Sequence, residues 1–161
     1  MTEQPSTRAD RPTILPWPPI LLAALGGGAW LLGINQPIPW PGVDDGPARI
    51  IGLGLGAAGI ALLVWALAAF RRHNTTVMPN QAASTLITDG PYRRFRNPIY
   101  LAEILIFFGL AEVTKNIWFV AAGIAFAVLV TQLAIIPEEN HLEATFGDAY
   151  RNYKSNTRRW I

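Results

Sequence analysis

Four long apolar blocks constrain this chain of 161 residues more than any other feature. They cover residues 19–34, 50–70, 99–111 and 117–136, and Glu103 is the single charged residue within them. A helix needs roughly 20 apolar residues to cross the hydrocarbon layer of a membrane. The second and fourth blocks meet that length, whereas the first and third are shorter. The sequence therefore predicts an all-α integral membrane protein with about four transmembrane helices. The short turn Thr114-Lys115-Asn116 predicts that the third and fourth helices form an antiparallel hairpin.

The basic residues indicate how these helices are oriented. All but two of the 13 lysines and arginines lie before the first block, between the second and third, or after the fourth, and the exceptions are Arg49 and Lys115. Lysine and arginine are enriched in cytoplasmic loops of membrane proteins. We therefore expect a multi-pass protein with both termini in the cytoplasm. Residues 1–13 are expected to form a disordered tail, and residues 14–70 the first two transmembrane helices.

The residues after the fourth block predict one further helix. Pro137-Glu138-Glu139 is a favourable helix start, because proline suits the first turn and acidic groups favour the positive N-terminal end. Apolar and aromatic residues then recur at helical spacing, namely Leu142, Phe146, Tyr150 and Tyr153. This pattern indicates a C-terminal amphipathic cytoplasmic helix, which either lies on the membrane or folds back over the bundle.

The composition excludes or disfavours several classes of site. The chain has no cysteine, so disulfides and thiolate sites are excluded, and His73 and His141 lack paired metal-ligand spacing. The net charge of +2 is small, so the basic excess indicates topology and contact with anionic lipid, not nucleic-acid binding. The G-x-G-x-x-G pattern of residues 54–59 follows no strand. We interpret Gly52 and Gly56 as a helix-packing face instead.

The candidate functional residues lie around the start of the third block. Asn97 is a favourable N-cap, and Pro98 suits the first helical position. Tyr100 and Glu103 share one face of the helix by the i, i+3 rule. Glu103 lies inside an apolar block, where an ionisable residue either serves a site, reaches back to the interface or bonds another helix.

Each of the other charged groups can be interpreted in two ways, as a structural charge or as part of a binding site. Arg93, Arg94 and Arg96 are most simply topogenic charges, although a subset could meet a carboxylate or phosphate. Glu138 and Glu139 are either helix-terminal acids or carboxylates that grip a polar or cationic ligand. The residues alone therefore predict a four-helix membrane protein with a cytoplasmic face able to bind a ligand.

Four ordered blocks carry a resemblance to a known superfamily. They are Gly90-Pro91-Tyr92, Arg96-Asn97-Pro98-Ile99-Tyr100, Glu138-Glu139, and Phe146-Gly147 with Tyr150 and Tyr153. Residues 71–161 thereby resemble the isoprenylcysteine carboxyl methyltransferase and phospholipid methyltransferase superfamily. The resemblance implies an S-adenosylmethionine-dependent enzyme of the bacterial inner membrane. Its acceptor would be a lipophilic or small membrane-partitioning molecule, with membrane lipid around it.

The resemblance also implies which residues form the site. The cofactor-binding positions would be Ser84, Thr85, Leu86, Ile87, Tyr92, Asn97, Pro98, Ile99, Tyr100, Glu138 and Glu139. The catalytic positions would be Tyr100 and Glu103. Ala134 stands where the prenylcysteine enzymes have an arginine that meets the substrate carboxylate, which argues against a prenylcysteine substrate. The alternative hypothesis is a non-catalytic four-helix membrane protein that binds a lipid or a partner.

Overall fold

Helices make up most of the described chain. The computed structural model describes residues 15–40, 46–73 and 86–161, so the expectation for residues 1–13 lies outside it. The α-helices are α1 (Trp17–Asn35), α2 (Gly46–Arg72), α3 (Pro98–Thr114), α4 (Trp118–Val130), α5 (Ile136–Phe146) and α6 (Asp148–Asn156). A 3₁₀ turn (Gly90–Arg93) precedes α3, and a π-helical turn (Thr131–Ile135) joins α4 to α5. The described ranges contain no strand, only an isolated bridge between Phe95 and Arg158.

Three helices are long and apolar enough to cross a membrane. They are α1, α2 and the continuous run Trp118–Phe146 that comprises α4, the π turn and α5. The prediction of transmembrane helices is confirmed to this extent. α3 has 17 residues, so at 1.5 Å per residue it is about 25 Å long, less than the roughly 30 Å of hydrocarbon. Its role as a fourth span therefore stays a prediction.

The helices pack in the order α1, α4, α3, α2. The most extensive contact joins α2 and α3, then α4 packs against both α1 and α3, and α1 makes only a small contact with α3. Residues 115–117 connect α3 to α4, and Lys115 adopts the left-handed conformation there with φ of 51°. The predicted α3–α4 hairpin is confirmed. α3 therefore lies in the interior of the row, between α2 and α4.

Small residues bring α2 and α3 into close contact. A Cβ atom on Gly56 would lie 3.0 Å from the Gly109 Cα, and one on Gly59 would lie 2.8 Å from the Ala102 carbonyl oxygen. Neither position has room for a side chain without a shift of the backbone. The predicted packing face of Gly52 and Gly56 is confirmed, since a Cβ on Gly52 would likewise meet the side chain of Glu112.

The C-terminal region differs from the single predicted helix. Pro137, Glu138 and Glu139 do lie in the first turn of α5, as predicted, but α5 does not stand apart from α4, because the backbone stays helical from Trp118 to Phe146 through the π turn. A break comes instead at Gly147, where φ is +54°. α6 then packs against α5 and buries Tyr150. The single amphipathic helix is thus not confirmed.

Candidate active site

The 3₁₀ turn, which leads into α3, packs against the end of α2. Tyr92 is 8% exposed, and its ring meets that of Phe70 edge-on at 5.6 Å between centroids. Ile87 is buried in the same small cluster, whereas Leu86 is partly buried. The Tyr153 hydroxyl of α6 donates a hydrogen bond of 2.7 Å to the Tyr92 carbonyl oxygen. Tyr92 is therefore held by both α2 and α6.

The phenol of Tyr92 stays neutral at physiological pH. Burial, and secondarily the negative charge of Glu138, raise its pKa well above the ordinary value for tyrosine. A neutral hydroxyl keeps its proton, so it can donate as well as accept a hydrogen bond. The effect of Glu138 also shows that the two residues are electrostatic neighbours, although they lie far apart in the sequence.

A hydrogen bond between Tyr100 and Glu138 joins α3 to α5. The Tyr100 hydroxyl donates to Glu138 Oε2 over 3.3 Å, which is long for a bond between two oxygens. Glu138 is partly buried, and no described residue bonds its second carboxylate oxygen. This carboxylate therefore retains capacity to accept further hydrogen bonds.

Glu103 lies one helical turn further along α3. Its Oε2 atom is buried and has no hydrogen-bond partner among the described residues. Glu103, Glu138 and Tyr92 all act electrostatically on Tyr100. The structure thus brings four predicted site residues together, and we call Tyr92, Tyr100, Glu103 and Glu138 the tyrosine–glutamate cluster. An unpartnered buried carboxylate oxygen is uncommon, because it loses the bonds that water would make.

Glu139 faces different partners from its neighbour Glu138. It is 5% exposed and accepts hydrogen bonds from Arg159 Nε at 3.1 Å and Nη2 at 2.7 Å. Arg96 Nε adds a third bond of 3.2 Å. The side chains of consecutive helical residues point about 100° apart, so the Glu138 carboxylate contacts α3 whereas the Glu139 carboxylate contacts arginines. Among the described residues, Arg96 is the one of the three arginines before α3 that meets a carboxylate.

Asn97 precedes α3 as predicted, but its side chain does not cap the helix. The amide nitrogen donates instead to the Arg159 carbonyl oxygen over 3.1 Å. The Asn97 carbonyl oxygen accepts the first helical bond, from the Leu101 amide at 3.1 Å. Pro98 occupies the first turn and is buried, and Ile99 packs beside the Tyr92 cluster. The side chain of Asn97 therefore joins α3 to the C-terminus.

The structure does not describe two of the predicted site residues, and it shows one contact residue that the sequence analysis did not predict. Ser84 and Thr85 lie outside the described residues. Arg159 was not predicted, because no local pattern links it to a glutamate 20 residues earlier. Ala134 is 2% exposed within the π turn and belongs to the apolar core, so no cation is present at this position.

Comparisons with known proteins match a large part of this chain. A family model described as phospholipid methyltransferase matches residues 47–149, which include nearly all of α2 and the whole tyrosine–glutamate cluster. An uncharacterized protein of Haemophilus influenzae is 36% identical over 63 residues, covering 39% of this chain and all of that protein. No solved structure matches. The three apolar helices suit a membrane-bound methyltransferase. Because the family match extends over more than half of the sequence, the chain belongs to the phospholipid methyltransferase family.

Proposed function

We propose that the protein is a multi-pass membrane methyltransferase that uses S-adenosylmethionine and acts on a lipophilic or small membrane-partitioning acceptor. Family membership supports methyl transfer in general, and the family generally uses this cofactor. The observation that carries the proposal is the pairing of Glu138 with Tyr100, one helical turn from Glu103, whose buried Oε2 has no hydrogen-bond partner among the described residues. The asymmetry of basic residues favours cytoplasmic termini, with α3 as a fourth span in a bacterial inner membrane.

The residues present fit the chemical groups of this cofactor. S-adenosylmethionine carries an ammonium group, ribose hydroxyls and a sulfonium, all of which suit a carboxylate acceptor or an aromatic face. Glu138 has an unused oxygen for the ammonium or the hydroxyls, and Tyr92 and Tyr100 supply aromatic rings for cation–π contact. On the adenosine side we retain Ser84, Thr85, Leu86 and Ile87, and we keep Pro98 and Ile99 as further cofactor-binding positions. Asn97 has its Oδ1 and one of its two amide N–H groups left to offer, since the other N–H already bonds the Arg159 carbonyl oxygen.

We assign Glu139 a supporting role. Both of its oxygens already accept bonds from arginine side chains, so it has little capacity left for the cofactor. Glu138 differs because its carboxylate faces the tyrosines.

The proposed reaction uses Glu103 as a proton acceptor. When bound, the cofactor supplies an electrophilic methyl group on its sulfonium. Glu138 holds the cofactor, and the Tyr100 hydroxyl orients Glu138 through their hydrogen bond. Glu103 takes the proton that the acceptor atom loses as it becomes methylated, because it lies one helical turn from Tyr100 and its buried Oε2 has no partner among the described residues. Exclusion of water at such a buried site strengthens these electrostatic effects.

Substitution of Glu138 tests the cofactor assignment. Glu138→Gln should weaken binding of S-adenosylhomocysteine in detergent, measured by calorimetry. Loss of one charge-assisted hydrogen bond costs about 1.5–3 kcal/mol, or roughly ten- to 150-fold in affinity. The matched control is Glu143→Gln, which removes the same charge from the same helix at a residue that instead pairs with Lys154. Equal affinities in the two variants would contradict the assignment.

Substitution of Glu103 tests the catalytic assignment separately. Glu103→Gln should leave S-adenosylhomocysteine affinity within about twofold, while transfer of labelled methyl groups to a native membrane extract falls by about 10²–10⁴-fold, the usual contribution of a general base. Transfer at the wild-type rate would refute the role of Glu103. A folded wild-type protein that neither binds the cofactor product nor transfers methyl groups would instead favour the non-catalytic scaffold.

A further inference from the structure

We propose that the last five residues, 157–161, are a positioning device for Glu138, and that Arg159 is its principal positioning residue. We call residues 157–161 the C-terminal strap. The inference rests on the proposed function, because it concerns how the carboxylate assigned to the cofactor is held in place.

Backbone hydrogen bonds tie the strap to the segment that leads into α3. The Arg96 amide donates to the Arg158 carbonyl oxygen over 2.8 Å, and the Arg158 amide donates to the Arg94 carbonyl oxygen over 3.1 Å. The Asn97 side chain adds its bond to the Arg159 carbonyl oxygen. Trp160 packs against the apolar core of the bundle. The strap therefore runs alongside the start of α3 and is anchored at its far end.

The Arg96 guanidinium links the strap to α6 as well. Its Nη1 donates to the Thr157 carbonyl oxygen at 2.5 Å and to the Lys154 carbonyl oxygen at 2.9 Å, while its Nε reaches Glu139. Arg96 thus joins α5, the end of α6 and the strap around one side chain. Removal of the strap would leave this partly buried guanidinium with fewer partners, which is costly.

The strap contacts α5 through a bidentate ion pair between Arg159 and Glu139. Arg159 bonds both oxygens of Glu139, a geometry that fixes direction as well as distance. Because Glu138 is the preceding residue of the same helix, holding Glu139 also fixes the rotation of α5 about its axis. That rotation decides whether Glu138 points towards Tyr100.

α5 needs such a support because of how it is joined to α4. The connecting π turn is an irregular element, and Pro137 lacks the N–H that would bond the preceding turn. Helix continuity alone therefore holds α5 less firmly than an ordinary α-helix would. The Tyr100–Glu138 bond is already 3.3 Å long, so a small rotation of α5 would break it.

Adjacent arginines provide a matched test. Arg159→Gln and Arg158→Gln remove the same charge from neighbouring residues of the strap, but the Arg158 side chain is exposed and makes no ion pair with a described residue. We expect Arg159→Gln to weaken S-adenosylhomocysteine binding by about three- to tenfold, as measured by calorimetry below the unfolding temperature of each variant. Arg158→Gln should stay within about twofold of wild type, and Arg159→Lys should recover part of the loss.

A double-mutant cycle separates positioning from a general structural role. If Arg159 acts through Glu138, then Arg159→Gln should cause no further loss of affinity in a Glu138→Gln background. Additive losses, or equal affinities for Arg159→Gln and Arg158→Gln, would overturn the inference while leaving the proposed function intact. Failure of folded wild-type protein to bind would overturn both. Should Arg159→Gln not fold, Arg159→Lys is compared with Arg158→Lys under the same criteria.

Discussion

The contact between α2 and α3 yields a prediction whose magnitude follows from the structure. A Cβ atom on Gly56 would lie 3.0 Å from the Gly109 Cα, which is backbone and has no side chain that could move aside. Carbon atoms pack best at about 3.5–4.0 Å, so Gly56→Ala must push the helices apart by about 0.5–1 Å. Overpacking of this kind costs about 1–3 kcal/mol.

Gly54 is the matched control on the same helix. A Cβ added there meets nothing within 4 Å. Gly54→Ala and Gly56→Ala share the gain in helix propensity, up to about 1 kcal/mol, so this gain cancels when the two variants are compared. The difference between them isolates the packing cost of about 1–3 kcal/mol. At about 2–4 °C per kcal/mol for a chain of this size, the Tm of Gly56→Ala should be about 2–12 °C below that of Gly54→Ala.

Thermal unfolding in detergent, followed by tryptophan fluorescence at one fixed scan rate, measures this difference. Gly109→Ala should lower Tm further than Gly56→Ala, because its Cβ would approach the Gly56 Cα even more closely. The expected order of Tm is therefore Gly54→Ala above Gly56→Ala above Gly109→Ala. Equal Tm values for the three variants would refute the close contact, and with it the central place of α3 in the bundle.

Three further predictions follow from the site and the charge pattern. A reporter fused to the C-terminus should show a cytoplasmic location, and an external signal would contradict the topology. Asn97→Asp should lower Tm more than Asn97→Ser, because a carboxylate would face the Arg159 carbonyl oxygen without a donor, and equal Tm values would argue against that hydrogen bond. Tyr100→Phe keeps the ring and loses a long bond to Glu138, so the free energy of unfolding should change by less than about 1 kcal/mol while methyl transfer falls. If activity in Tyr100→Phe and Tyr100→Ala simply follows Tm, Tyr100 is only structural.

Local patterns in the sequence were sufficient for the main elements. Length and apolarity predicted the helices, since both are properties of consecutive residues. The short connection between the third and fourth blocks predicted the α3–α4 hairpin, and helical spacing predicted that Tyr100 and Glu103 would share a face. The small residues Gly52 and Gly56 indicated the α2 packing face, because close helix contact requires small side chains.

Pro137 shows where such patterns fail. As an isolated signal it marks a helix start, and its two following acids strengthen that reading. In the structure, Pro137 does lie in the first turn of α5, but a π turn joins α5 to α4, so the helix is continuous from Trp118 to Phe146. Continuation through a proline depends on packing around the turn, including the burial of Ala134 and Ile135 in the core, which no local pattern contains.

The sequence by itself determined an apolar, helical chain with a characteristic order of motifs before α3 and around Glu138. Composition, hydrophobic period and motif spacing are all properties of residues that lie close together in the sequence. Only the tertiary structure decided which partner each polar group meets. Glu138 and Glu139 are identical neighbours, yet one bonds Tyr100 and the other bonds Arg96 and Arg159. The physical reason is that the rotation of α5 and the path of the C-terminal strap set these contacts. Both depend on packing between residues far apart in the chain.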